Sequence, residues 1–196
     1  MKPARLDPAI AQTLVIAGLC ATAWIARIVL GTEGAYPPIV LSGVLLGVLL
    51  AIAHVDFLAY RIPDLCNLAL AALGAGAVVL GIRDGASPAD FVPEALVPAL
   101  ASALIYGALF WGVRAAFFWW RGVVGLGLGD VKFAAAAGLW LPIEALPGFV
   151  LVASASGLAW AAVQHARQGK LDLHRRLAFG PHLALSLWCN WLIASL

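Results

Sequence analysis

Two aspartates lie in apolar surroundings that ordinarily exclude acids. Asp56 closes the run Ala53-His54-Val55-Asp56, and Asp130 follows Gly127-Leu128-Gly129 at the head of another apolar stretch. An ionisable side chain at membrane depth is costly unless paired or watered, so such a residue is a functional candidate by default. Two carboxyls brought together do not comfortably ionise at once. One retains a proton, leaving a base that activates water and an acid that protonates a leaving group. The pair predicts water-activating acid–base chemistry, on condition that the fold brings these two positions to one place.

Composition decides what kind of fold that is. Of 196 residues, 63% are hydrophobic and 11% charged, against ~45–50% and ~25% in soluble domains, and the mean hydropathy is +0.97. A water-soluble globule and a disordered chain are both excluded. Long apolar runs broken by Pro, Gly and charge predict an all-α, polytopic membrane helix bundle, one domain over 1–196, with about seven helices and a range of six to eight. The expected spans are 10–30, 38–55, 65–82, 95–118, 130–141, 147–165 and 181–196. The fifth and seventh are short, as suits buried helices shielded from lipid or tilted ends.

With seven crossings and a cytoplasmic N-terminus, ten of the twelve Lys and Arg residues fall on the inner side, as the positive-inside rule demands. A net charge of +2 implies no nucleic-acid partner, and no metal or cofactor is expected. Cys20, Cys66 and Cys189 lie singly in apolar runs with no Cys-x-x-Cys spacing, which suggests neither a disulfide framework nor a zinc site.

On this topology the second span runs inward and the fifth outward, so Asp56 and Asp130 share the cytoplasmic side. Each also has a structural reading. Asp130 follows glycines into a helix, where a cap serves as well as a catalyst. Asp56 ends a helix, where the dipole disfavours an anion, so capping does not explain it. Asp64 follows Pro63 and starts the third span, the pattern of a cap. Gly125, Gly127 and Gly129 permit bending and close approach of another chain. Gly43, Gly47 and Ala51 form a small-residue stripe suited to helix contact. His54 points to a different helix face from Asp56 and is not expected to be a base. Paired tryptophans such as Trp119-Trp120 read as an interfacial belt, and the basic stretch from His165 to Arg176 reads as contact with anionic lipid.

Three motifs in this order resemble the type IV prepilin peptidases, intramembrane aspartyl proteases of the Gly-x-Gly-Asp kind. Asp56-Phe57-Leu58-Ala59-Tyr60-Arg61-Ile62-Pro63-Asp64 looks like that family's first catalytic segment. Gly127-Leu128-Gly129-Asp130-Val131-Lys132-Phe133 resembles the second, and Phe179-Gly180-Pro181, after a basic loop, resembles the opening of its last helix. The resemblance implies that Asp56 and Asp130 are the catalytic pair and that Gly127 and Gly129 shape the approach. Lys132 matches a motif position and either orients the pair, meets the substrate or snorkels to the interface. Asp64 falls in the same supporting group. The implied substrates are prepilins or pseudopilins, cut on the cytoplasmic side just before their hydrophobic helix. The implied partners are the lipid bilayer and pilus or secretion machinery, in the bacterial inner membrane.

Two departures qualify the resemblance. The zinc-binding Cys-x-x-Cys loop of bifunctional members is missing from these residues, which predicts a peptidase-only form. His182 stands where the family often has an apolar residue, and reads as a wetted histidine near the interface. The presenilin branch shares Gly-x-Gly-Asp, but its Tyr-Asp motif is absent and Pro98-Ala99-Leu100 precedes the motif instead of following it. Two other classes remain in view. A proton-coupled transporter also uses paired intramembrane carboxylates, but near the midplane on broken helices. A non-catalytic scaffold of a secretion machine would tolerate asparagine at both positions.

Overall fold

The computed structural model describes residues 39–79, 93–168 and 177–194. These residues form six α-helices and no strand: α1 (Ile39–Ala59), α2 (Asp64–Val79), α3 (Pro93–Arg121), α4 (Leu128–Trp140), α5 (Leu146–Gln168) and α6 (Gly180–Ala194). A 3₁₀ turn, Ile143–Ala145, leads into α5. The expected first span, 10–30, lies outside the described residues. The other six correspond helix for helix, with ends that differ by a few residues.

Among the described residues, two stretches are long and apolar enough to cross a membrane: Ala95–Arg121 with mean hydropathy 1.8 and Ile143–Ala166 with 1.7. Their outward faces carry exposed Val97, Leu104, Leu151 and Leu158, which is the pattern of helices facing lipid and not water. Trp119 and Trp120 project from the last turn of α3, and the Arg121 guanidinium lies 4.8 Å from the Trp120 ring centre. That is the amphipathic arrangement expected of an interfacial belt.

The two short spans are interior. Helix α4 packs against α2, α3 and α6, and α6 packs against α1 and α5. Ala134, Ala136 and Ala137 are buried on α4, and their small side chains let neighbouring backbones come close. The far end of α4 is anchored by Trp140, whose indole N–H donates to the Leu70 carbonyl at 3.0 Å while its ring meets Trp191 edge-on at 6.1 Å. On α6, Ser186 donates to the Phe149 carbonyl at 2.6 Å. The buried Trp140 and Ser186 donors thereby keep partners in a medium that offers none. Thirteen residues suffice for α4 because it is walled by helices instead of lipid.

One packing expectation is not met among the described residues. Gly43, Gly47 and Ala51 are exposed, and a Cβ added at either glycine would meet nothing within 4 Å among the described residues. The buried face of α1 is Leu45, Leu49, Ile52 and Ala53. Those larger side chains remove more apolar area on packing than the small stripe does.

Candidate active site

Asp56 sits in the last turn of α1 and is 4% exposed. Its Oδ2 accepts the backbone N–H of Gly180, the first residue of α6, at 2.7 Å. The carbonyl of Phe179 takes the N–H groups of His182 and Leu183, so Phe179 holds the cap position of α6. The Gly180 N–H is then one of the donors that a helix start leaves without an intrahelical partner. An anion disfavoured at the end of its own helix is accepted at the positive end of another. Glycine is required there: a Cβ on residue 180 would lie 2.8 Å from Asp56 Oδ2 and 2.9 Å from its Cβ.

Asp130 is the third residue of α4, and its Oδ2 accepts the N–H of Gly127, the cap residue, at 3.0 Å. This is the half of a capping box that the acid supplies. The capping reading of Asp130 is correct, and it does not compete with the chemical one, because the turn that follows Asp56 packs through Ile62 on Gly129, the residue before Asp130. Residues far apart in sequence thus share one end of the bundle.

The segments flanking the two acids are stitched together. After Asp56 the chain turns through Tyr60, whose N–H donates to the Asp56 carbonyl at 2.7 Å and whose φ of 51° lies in the left-handed region. Ile62 then packs on Gly129, where an added Cβ would stand 3.1 Å from the Ile62 Cβ and 3.3 Å from its carbonyl oxygen. Asn67 of α2 donates to the Gly129 carbonyl at 3.2 Å. Lys132 and Asp64 form an ion pair at 2.7 Å on the exposed rim. Gly127 and Gly129 therefore serve different ends: one offers its N–H to Asp130, the other lets α4 approach the turn after Asp56.

Two sequence expectations need correction. Asp64 is not the cap of α2, since the Pro63 carbonyl accepts the N–H groups of Cys66 and Asn67. Proline lacks an N–H but keeps its carbonyl, so Pro63 takes the cap position and leaves the Asp64 carboxylate free to reach Lys132. His182 is not wetted; it is buried, with Nδ1 3.2 Å from Ser156 Oγ and its ring tilted against Phe179. The third residue of a helix that starts beneath Asp56 is already inside the bundle. His54 is exposed on a face away from the buried Asp56, as expected. Sequence reasoning missed the Gly180 N–H, although Phe179-Gly180-Pro181 already marked the place.

A family model described as the type IV leader peptidase family matches residues 43–162, which include both aspartates. The chain belongs to the type IV leader peptidase family. Its relatives include the prepilin leader peptidase/N-methyltransferase of Dickeya chrysanthemi, 36% identical over 154 residues that cover 76% of this chain and 50% of that protein. The protein of the same name from Neisseria gonorrhoeae is 34% identical over 151 residues, 76% of this chain and 48% of the relative. Leader peptidase HopD of Escherichia coli is 38% identical over 96 residues, 47% of this chain and 59% of its own length. The chain spans about half the length of the first two. No solved structure matches it. The family match ends before α6, so the Gly180 contact with Asp56 is a feature of this fold beyond the matched region.

Proposed function

We propose that the chain is an intramembrane aspartic endopeptidase, which removes the basic leader from prepilins or pseudopilins at the cytoplasmic face of the bacterial inner membrane. The observation that carries this reading is the convergence of Asp56 and Asp130 at one end of the bundle, each with a carboxylate oxygen held by a backbone N–H. Membership in the leader peptidase family supplies the substrate class.

Under this reading one carboxylate takes a proton from a water molecule as the water oxygen attacks the scissile carbonyl carbon. The other, protonated, carboxyl donates to the carbonyl oxygen. On collapse of the tetrahedral intermediate one hydroxyl returns its proton to the second carboxylate as it becomes a carbonyl, the C–N bond breaks, and the first carboxyl gives the proton it took from water to the leaving amine. The Gly180 and Gly127 N–H groups hold the acids in place during these transfers. Asn67, Gly129 and the Lys132–Asp64 pair keep the two motif segments in register. The distribution of positive charge argues for a cytoplasmic N-terminus and a multi-pass topology that opens the dyad to the cytoplasm. The test is co-expression with a candidate prepilin: leader removal is lost in both Asp56→Asn and Asp130→Asn, and its survival in either variant overturns the assignment.

A further inference from the structure

Arg114 is a positive charge on a long apolar helix. It lies on α3, two turns before the helix ends, half-buried on an otherwise apolar stretch, Gly107–Trp120. Its Nη1 donates to the backbone carbonyl of Leu126. That carbonyl belongs to the same peptide unit as the N–H of Gly127, and this N–H donates to Oδ2 of Asp130 at 3.0 Å.

A trans peptide is planar, with its C=O and N–H pointing in opposite directions. Fixing the oxygen toward Arg114 therefore fixes the hydrogen toward Asp130. A cation on the oxygen also polarises the unit and strengthens the bond made by its N–H, because hydrogen bonds in series reinforce one another at low dielectric. We infer that Arg114 is a positioning residue for Asp130 and acts through the Leu126–Gly127 peptide, so that a cation on α3 orients the acid that opens α4.

The segment between α3 and α4 is otherwise glycine-rich. It begins with Gly122 in the left-handed region at φ 68° and runs through Gly125 to Gly127. Chains of this composition have many accessible conformations, and the 126–127 plane needs an external restraint to keep one orientation. Leu126 itself is only partly buried against the core. The side chain that bonds its carbonyl is Arg114. Snorkelling of Arg114 toward the interface would explain a charge on this helix, but not why the guanidinium meets the one carbonyl whose partner N–H holds Asp130.

The inference rests on the reading of Asp56 and Asp130 as the catalytic pair, and its test separates the two. Full-length protein in detergent or liposomes is assayed for prepilin leader cleavage, with kcat and KM determined separately and thermal unfolding recorded beside them. Arg114→Gln, which keeps a donor but removes the cation, is expected to lower kcat by about 10- to 100-fold, the scale of a small misplacement of a catalytic group. KM stays within about threefold, because in this scheme Arg114 touches no substrate. Arg114→Lys, which restores a cation to the carbonyl, recovers most of the lost kcat. Thermal midpoints within a few degrees of the parent assign the loss to positioning. Equal kcat losses in Arg114→Gln and Arg114→Lys that track a lowered midpoint, or a change in KM alone, overturn the inference. Unchanged kcat in Arg114→Gln beside an inactive Asp130→Asn overturns it too, and leaves the dyad standing. An active Asp130→Asn removes the reading on which it rests.

Discussion

The N–H of Gly180 and Oδ2 of Asp56, 2.7 Å apart, join the start of the last helix to the end of α1. No side chain fits between them, since a Cβ at residue 180 would stand 2.8–2.9 Å from the carboxylate. Gly180→Ala is therefore expected to displace Asp56, cost about 1–3 kcal/mol as overpacking does, and abolish most leader cleavage. Gly76 on α2 is the control, because an added Cβ there meets nothing within 4 Å. Gly76→Ala leaves activity unchanged and stability equal or up to about 1 kcal/mol higher, as the intrinsic helix preference of alanine dictates. Cleavage rates and detergent thermal unfolding of the two variants check the contrast.

Asp56 and Asp130 share one proton economy under the proposed mechanism, so their loss is not additive. Each single Asp→Asn change is expected to lower kcat by about 10²–10⁴-fold or more, and the double change to be no worse than the poorer single, as for groups that act as a unit. Independent structural roles would instead give losses that multiply. Rates measured for all three variants against one prepilin separate the outcomes.

The Lys132–Asp64 pair lies on the rim, with 51% and 76% of its two side chains exposed. Exposed pairs are worth about 0–1 kcal/mol, so Lys132→Met is expected to lower stability by less than about 1 kcal/mol. Its role in register is tested by charge exchange. Asp64→Lys and Lys132→Asp each lower activity, and the double variant regains a substantial part of it. Failure of the double variant alone to recover would assign Lys132 to the substrate instead.

How much of this was legible beforehand depends on the kind of contact. Asp56 stands out because an anion at the end of a helix has no capping explanation, Asp130 stands out because it follows glycines at the head of an apolar run, and helix parity alone places both on one side. The interior position of α4 and α6 was visible only as short length. The partner of Asp56 was not readable as chemistry, because Gly180 contributes a backbone N–H and glycine advertises none. The Gly43–Gly47 face meets no helix among the described residues for the complementary reason: small residues permit contact but do not demand it, and α1 packs there through Leu45, Leu49 and Ile52. His182 and Ser156 form a pair across two helices, and no spacing in one sequence announces such a pair.

Tyr60 is the non-glycine residue with positive φ among the described residues, and it follows Asp56 by one helical turn. A side chain there costs about 1–2 kcal/mol relative to right-handed backbone, and glycine escapes that penalty. The turn nevertheless aims the chain so that Ile62 meets Gly129 and Asp64 meets Lys132. Its conformation is thus held by contacts on both sides, as expected of strain kept beside the proposed catalytic pair. Tyr60→Gly is expected to raise stability by up to about 1 kcal/mol, less the conformational entropy that glycine adds to the unfolded chain, and to leave cleavage within a few-fold of the parent. Tyr60→Val, β-branched and still less tolerant of the left-handed region, is expected to lower both stability and activity. Thermal midpoints in detergent, read with cleavage rates, decide it: equal midpoints for the glycine and valine variants would show that the turn stores no strain.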